Sequence, residues 1–218
     1  MKALVQRLAL VLALVFPLAA QADFQTWLGV FYTAGFGKRW LAYGEVQNRF
    51  YQDGLTERRL LLRGAVGMRV GKSHSFYLGY AWTPLFSPAF QDEHRLWQGS
   101  LAHYIWPDWQ LAFRFRMEER FMPGTDVSLR WRELVRVSWH PTQTWGVVFW
   151  DEFFFNLATN AVATKRGFEQ NRLFVGAVFP LAESLSIEGG YMNLYEYGQP
   201  IGHTVVLSLA WNTVPAVD

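Results

Sequence analysis

The sequence predicts an all-β fold, namely an antiparallel transmembrane β-barrel of about 10 to 12 strands with short periplasmic turns. Three observations favour this class. The N-terminal segment is typical of an exported protein, the strand-like segments carry one apolar and one ionic face, and tryptophans lie near the ends of those segments. Together they indicate a chain that leaves the cytoplasm and crosses a bilayer as strands.

Residues 1–22 have the layout of a secretory signal peptide. Lys2 and Arg7 accompany an apolar run, LALVLALVF, and the segment ends in AQA, a small-x-small cleavage site. The apolar run is too short to span a bilayer as a helix. We therefore expect a signal peptide at 1–22 and one outer-membrane β-barrel domain at 23–218, because no proline-rich or low-complexity linker divides the remainder.

The charge and cysteine content exclude several classes of protein. Without Lys2 and Arg7, the number of Lys and Arg residues falls from 20 to 18 and equals the 18 Asp and Glu residues. A formally neutral mature chain argues against a nucleic-acid binder. The chain has no cysteine, so disulfides and thiolate zinc sites are excluded.

The stretch QLAFRFRMEERF, residues 110–121, shows a clear two-residue period. Its four inner charged residues alternate with Leu, Phe, Phe and Met, so a β-strand would carry the charges on one face and the apolar side chains on the other. Similar alternation recurs in residues 40–50, 55–70 and 127–140, whereas 145–157 is largely apolar on both faces. We interpret the ionic face as the barrel lumen and the apolar face as the lipid-exposed surface.

The charged side chains within these segments are almost all Arg or Glu. The three lysines that follow residue 22, Lys38, Lys72 and Lys165, lie in predicted turns or loops. A confined lumen favours the planar guanidinium group, which pairs bidentately with carboxylates. The lumen-facing candidates are Glu45, Arg49, Glu57, Arg63, Arg114, Arg116, Glu118, Arg120, Arg130, Arg132, Arg136, Glu152, Asn156, Arg172 and Glu188. If the lumen is open, this positively charged set predicts a preference for small anions.

Large aromatic residues lie toward both ends of the predicted strands. Those beside the short connections are Trp40, Trp106, Trp109, Trp139, Trp145 and Trp211. Those toward the opposite ends are Phe50, Trp82, Trp97, Phe121 and Trp131. Two aromatic belts around an apolar band are typical of the interfacial girdles of a transmembrane barrel.

The number of strands depends on how the first segment is used. Short and longer connections alternate along the chain, and the segments between residues 39 and 212 make an even number of crossings. The first segment, 24–34, is left over. It either forms a short hairpin or closes the barrel as an odd strand parallel to the last one. Because bacterial barrels usually have an even number of strands, we favour about ten or twelve.

Several short stretches occur in a specific order along the chain. They are an early Trp27, EVQNRF with Arg49, EHRLWQ with Arg95, FRFRMEERF, WDEFFFN, and EQNRLFVG with Arg172. In this order they resemble the bacterial outer-membrane barrel proteins grouped as domain of unknown function 2490. The resemblance covers most of the chain after residue 22. It implies an outer-membrane β-barrel and supplies no activity, substrate or catalytic residues.

The resulting hypothesis is a protein of the cell outer membrane, either a narrow porin-like channel or a structural barrel with an Arg/Glu-lined lumen. Two alternatives stay open, an outer-membrane lipid-modifying enzyme and a soluble periplasmic ligand-binding barrel. Ser138 with His140 is the pair to inspect for hydrolysis, although no hydrolase motif surrounds it.

The sequence also carries expectations about cofactors and partners. We expect no cofactor, no metal site and no nucleic acid, and we assign no catalytic residue. The expected partners are outer-membrane lipids and, during insertion, the barrel assembly machinery. The sequence contains no signal for an oligomeric state.

Overall fold

The computed structural model describes residues 24–51, 56–86, 90–159, 163 and 165–214, without the side chains of 51 and 56–58. The predicted signal peptide lies outside these residues and stays a prediction. The strands are β1 (Phe24–Phe36), β2 (Trp40–Tyr51), β3 (Thr56–Val70), β4 (His74–Trp82), β5 (His94–Ile105), β6 (Trp109–Phe121), β7 (Ser128–Thr142), β8 (Trp145–Ala158), β9 (Gly167–Ala182), β10 (Leu185–Glu196) and β11 (Gly202–Thr213). Within the described ranges, no helix is long and apolar enough to cross a membrane.

The strands form one closed barrel, in which successive strands pair antiparallel and β1 pairs with β11. The all-β barrel prediction is confirmed. The closing pair is parallel, in register from Phe24 against His203 to Ala34 against Thr213. The preference for an even number of strands is therefore wrong, because the leftover first segment is a full strand. Its pairing with β11 satisfies the backbone edges of both strands, which an open barrel would leave unpaired.

The connections divide the barrel into two distinct ends. The end at which β1, β3, β5, β7 and β9 turn into the next strand is called the turn end, and Gly71 supplies the left-handed conformation of one such turn, with φ 68°. The opposite end, called the loop end, carries the longer connections, such as 83–93 and 122–127. Since β1 and β11 run parallel, β1 begins at the loop end and β11 finishes at the turn end.

The outer face of the barrel is mainly apolar. Leu78 is 67% exposed and Val66 54%, and Phe113 in the QLAFRFRMEERF stretch is 44% exposed. Trp40, Trp106, Trp109, Trp139, Trp145 and Trp211 are exposed at the turn end. The placement of Trp97 in the second belt is wrong: this side chain is 2% exposed and packs inside the barrel against Leu61 and Ala81.

The interior contains an apolar sector as well as an ionic one. A buried cluster of Trp27, Val148, Phe174, Val178, Met192, Leu194 and Val206 joins β1 to strands β8–β11. Trp150 stacks on Phe174, with ring centroids 4.9 Å apart. The two apolar faces of β8 are thereby explained, since one faces outward and the other packs into this cluster. The interpretation of apolar faces as lipid-exposed is therefore incomplete for this side of the barrel.

Candidate functional site

A buried carboxylate on β6, Glu118, forms the centre of an ionic network inside the barrel. Arg132 Nη1 donates a hydrogen bond to Glu118 Oε1 at 2.6 Å, and Arg130 Nη2 donates to Oε2 at 2.6 Å. Arg63 on β3 reaches the same carboxylate from across the barrel, with Nη2 3.5 Å from Oε1, and Arg95 Nη1 on β5 lies 3.7 Å from Oε2. Guanidinium groups from three strands thus balance one desolvated charge.

Glu152 on β8 forms a second centre, which shares Arg132 with the first. Arg132 Nη2 and Arg114 Nη2 each donate to Glu152 Oε1 at 2.7 Å. Arg172 Nη1 on β9 lies 3.7 Å from Oε2. The neighbouring residue Asp151 points to the opposite face, where Asn171 Nδ2 donates to it. Of the two adjacent acidic residues, only Glu152 belongs to the network.

Glu93 precedes β5 in a long connection and forms a third centre, which the alternation did not predict. Arg95 donates two hydrogen bonds to it, Nε to Oε1 at 3.1 Å and Nη2 to Oε2 at 2.8 Å, and Arg120 Nε donates to Oε1 at 2.5 Å. Burial raises the pKa of Glu93, but the guanidinium groups of Arg95 and Arg120 lower it more, so the pKa stays well below its ordinary value. The signal available in the sequence was the run DEHR, which sets this carboxylate two residues before an arginine.

Two further carboxylates extend the ion pairs toward the turn end. Arg63 Nη1 donates to Glu45 Oε2 at 2.6 Å, and the Tyr43 hydroxyl donates to the same oxygen at 2.7 Å. Arg136 Nη1 donates to Glu188 Oε1 at 3.1 Å, in a pair that is less buried than the others. Ion pairs therefore run from Glu93 near the loop end to Glu188 near the turn end.

Aromatic rings fill the spaces between the guanidinium groups. The guanidinium carbons of Arg172 and Arg132 lie 4.3 and 4.5 Å from the ring centroid of Phe154. Arg116 lies 4.3 Å above Trp97 in the same way. Such cation–π contacts are strongest when they are desolvated. Around Phe154 and Trp97, the ionic sector is therefore packed.

Most of the sequence-predicted lumen residues come together in this network. Those joined to one another or to Glu93 by ion pairs are Glu45, Arg63, Arg114, Arg116, Glu118, Arg120, Arg130, Arg132, Glu152 and Arg172, and Arg136 forms a separate pair with Glu188. Arg49 and Asn156 make no such pair within the described part of the chain. The side chain of Glu57 lies outside the described residues. Sequence reasoning missed Glu93 and also Glu169, which accepts a hydrogen bond from Arg130 Nη1 at 3.2 Å.

Two interior cavities bounded by described residues flank the network. The turn-end cavity has a volume of about 520 Å³, and its wall includes Leu41, Tyr43, Tyr77, Trp97 and Arg116. The loop-end cavity has a volume of about 270 Å³, and arginine is the most frequent residue in its wall. Glu118 and Phe154, which have no exposed surface, belong to the packed region of the interior.

Ser138 and His140, the pair considered for hydrolysis, are in contact near the turn end of β7. His140 Nε2 lies 3.1 Å from Ser138 Oγ. Ser138 is only 3% exposed and faces the barrel interior. A lipid acyl chain on the outer surface does not reach this hydroxyl, and within the described residues no carboxylate forms an ion pair with His140. The geometry therefore gives no support to lipid hydrolysis at this pair.

Metal-binding side chains do not cluster in the part of the chain that the structure describes. Among those residues, no group of three or more His, Cys, Asp and Glu side chains has the arrangement of a metal site. The carboxylates of the network are bound by arginines instead.

A family model for proteins of unknown function, DUF2490, matches residues 24–202. The chain belongs to this family. The resemblance inferred from the order of short sequence stretches is thereby confirmed. The match to the DUF2490 model extends from the start of β1 to the start of β11, so it includes every strand that contributes to the network.

Two further comparisons identify similar proteins. An uncharacterized protein of Methylorubrum extorquens is 30% identical over 161 residues, which is 69% of this chain and 69% of that protein. LpxR from Salmonella typhimurium aligns over 92% of each chain with a TM-score of 0.49 and 7% sequence identity.

Proposed function

We propose that this DUF2490 protein is an outer-membrane β-barrel whose lumen is closed by a packed ionic and aromatic plug, so that it is a structural or binding barrel and not an open porin-like channel. The predicted signal peptide and the apolar outer face support the location. A soluble periplasmic barrel would not expose Leu78, Val66 and Phe113 to this extent.

The main observation in favour of a closed lumen is the complete burial of several interior side chains. Glu118 on β6, Phe154 on β8 and Phe174 on β9 are each 0% exposed. In an open pore, the side chains that line the lumen would touch water along its length. Arg63 and Glu118 also form an ion pair across the barrel, from strands that are not neighbours. A hydrated ion would have to break these pairs to pass.

Planar-bilayer recording tests the closed lumen directly. Heat-modifiable gel migration first verifies that the purified protein is folded. The folded protein should then insert into the bilayer and give no steady conductance in a salt gradient. A stable single-channel conductance would contradict the plug. Its ion selectivity would then report the charge of the open path, and the positive excess of arginines predicts anion preference.

Cell fractionation tests the proposed location separately. The mature protein should sediment with outer membranes and require detergent for extraction. Outer-membrane lipids would then be its surroundings, and the barrel assembly machinery the partner for its insertion. Recovery of a monodisperse soluble protein from the periplasm would contradict the location.

A further inference from the structure

The loop-end cavity has a wall with a large excess of positive charge. Seven arginines contribute to it, Arg49, Arg59, Arg95, Arg120, Arg130, Arg132 and Arg172, together with Lys165. Among the described residues, the carboxylates in the same wall are Glu169 and Glu196. Glu169 is already engaged by Arg130 Nη1 at 3.2 Å. The described carboxylates of the wall therefore do not balance its positive charge.

Three of these arginines are weakly paired or unpaired. Among the described residues, no carboxylate oxygen lies within ion-pair distance of Arg49 or Arg59. Arg172 has one such contact, at 3.7 Å from Glu152. By contrast, Arg95 is held by two hydrogen bonds to Glu93. Guanidinium groups in a confined space without counter-ions are costly unless an anion joins them.

The same wall contains buried donor atoms without hydrogen-bond partners. Among the described residues, Gln170 Nε2 and Arg172 Nε have no such partner, although the two residues are only 4% and 8% exposed. Both atoms are donors, and Gln170 Oε1 is already used as an acceptor for Arg172 Nη2 at 3.4 Å. A ligand that supplies acceptor oxygens would satisfy them.

An aromatic ring holds Arg49 and the weakly paired Arg172 in place. Trp27 is 4% exposed, and the guanidinium carbons of Arg49 and Arg172 lie 3.9 and 4.8 Å from its ring centroid. Arg49 Nε also donates to Gln47 Oε1 at 2.8 Å. Two like charges are thus fixed on one ring before any ligand arrives. Such pre-organisation lowers the entropic cost of binding an anion.

We propose that the loop-end cavity binds a phosphate-bearing anion. Guanidinium groups match the geometry of phosphate oxygens bidentately, and several of them converge here. The volume of about 270 Å³ suits a head group and is too small for a whole lipid. Both a free phosphate compound and the phosphate head group of a lipid carry this chemistry. Binding of a lipid head group depends on the proposed outer-membrane location, whereas binding of a free phosphate compound does not.

Isothermal titration of the folded protein in an uncharged detergent tests the proposal. The probes are inorganic phosphate, a short-chain phosphatidic acid, and the diacylglycerol that matches it without the phosphate. Phosphatidic acid should bind and diacylglycerol should not. If inorganic phosphate also binds, the site accepts soluble phosphate compounds. If phosphatidic acid binds and inorganic phosphate does not, the site is specific for lipid head groups. Binding of neither phosphate probe would overturn the proposal.

Substitutions locate the binding in this cavity. Among the described residues, no carboxylate is ion-paired with Arg49 or Arg59, so the variants Arg49→Gln and Arg59→Gln should both fold, and each should bind about tenfold or more weakly. The matched control is Arg116→Gln in the wall of the turn-end cavity, where the replaced side chain is likewise only weakly paired, and this variant should bind like the parent protein. Equal weakening by the control would overturn the assignment. A conducting barrel would contradict the plug and leave this binding result intact.

Discussion

Arg132 on β7 bridges two carboxylates from the strands on either side of it. Its Nη1 donates to Glu118 on β6 at 2.6 Å, and its Nη2 donates to Glu152 on β8 at 2.7 Å. The three residues are 6%, 0% and 3% exposed. Because buried charges are stable only when they are paired and hydrogen-bonded, one shared guanidinium group couples three neighbouring strands. Loss of either carboxylate therefore affects several arginines at once.

Glu118→Gln should lower the free energy of unfolding by about 3 to 5 kcal/mol. The substitution removes the charge that Arg130 and Arg132 share. Arg130 then keeps only Glu169 as an ion-pair partner, and Arg132 keeps only Glu152, among the described residues. Urea titration of the protein in lipid vesicles measures the effect. The control is Glu133→Gln on the outer face of β7. At this exposed position, a neutral amide should not lower the free energy of unfolding relative to the carboxylate. Equal losses in the two variants would contradict the central role of Glu118.

Phe115→Arg should impair insertion, and Arg116→Gln should be tolerated. Phe115 points outward, where it packs edge-on against Trp131 with centroids 5.1 Å apart. An arginine on the lipid face near the middle of the bilayer costs roughly 2 to 4 kcal/mol.

Arg116 points inward and is weakly paired. Its Nη1 lies 3.9 Å from Glu118 and has no hydrogen-bond partner among the residues that the structure describes. Its replacement relieves a site that is crowded with positive charge. Folding yields in vesicles measure both variants. Similar yields would count against the assignment of faces on β6.

The parallel closure predicts a specific cross-link. Val30 on β1 is paired with Leu209 on β11, and the chain has no cysteine of its own. The double variant Val30→Cys with Leu209→Cys should form a disulfide on mild oxidation, because paired residues on adjacent strands lie within disulfide distance.

The control for the seam is Val30→Cys with Leu207→Cys. This pair is offset by two residues, which separates the Cα atoms by about 8 Å, beyond disulfide reach. The mobility of each variant on a non-reducing gel shows whether its disulfide has formed. A cross-link in the control and none in the test pair would indicate a different register or a different closing strand.

The proposed orientation predicts that the two ends of the barrel react with external reagents differently. Pro123→Cys at the loop end should react with a membrane-impermeant maleimide on intact cells. Lys72→Cys at the turn end should react only after the outer membrane is permeabilised, because short turns face the periplasm in bacterial barrels. Both positions are exposed in the structure. The reverse pattern would show that the barrel is inserted the other way round.

The alternation in QLAFRFRMEERF was sufficient to predict the two faces of β6. The strand period is local, so the inward position of Arg116, Glu118 and Arg120 follows from spacing alone. The same reasoning could not assign β8, where Val148 and Phe154 on one face are as apolar as Phe149 on the other. Hydrophobicity distinguishes apolar from polar faces, but it does not distinguish lipid from a packed interior, since both exclude water.

The sequence by itself determined the all-β class, the short turns and the concentration of arginine and glutamate on one face of several strands. Only the tertiary structure decided that β1 pairs in parallel with β11, that Trp27 and Trp97 point inward, and that Glu93 joins the ionic network from a loop. These features depend on contacts between residues far apart in the chain. A two-residue period carries no information on which distant strand closes the barrel or which guanidinium groups a loop carboxylate meets.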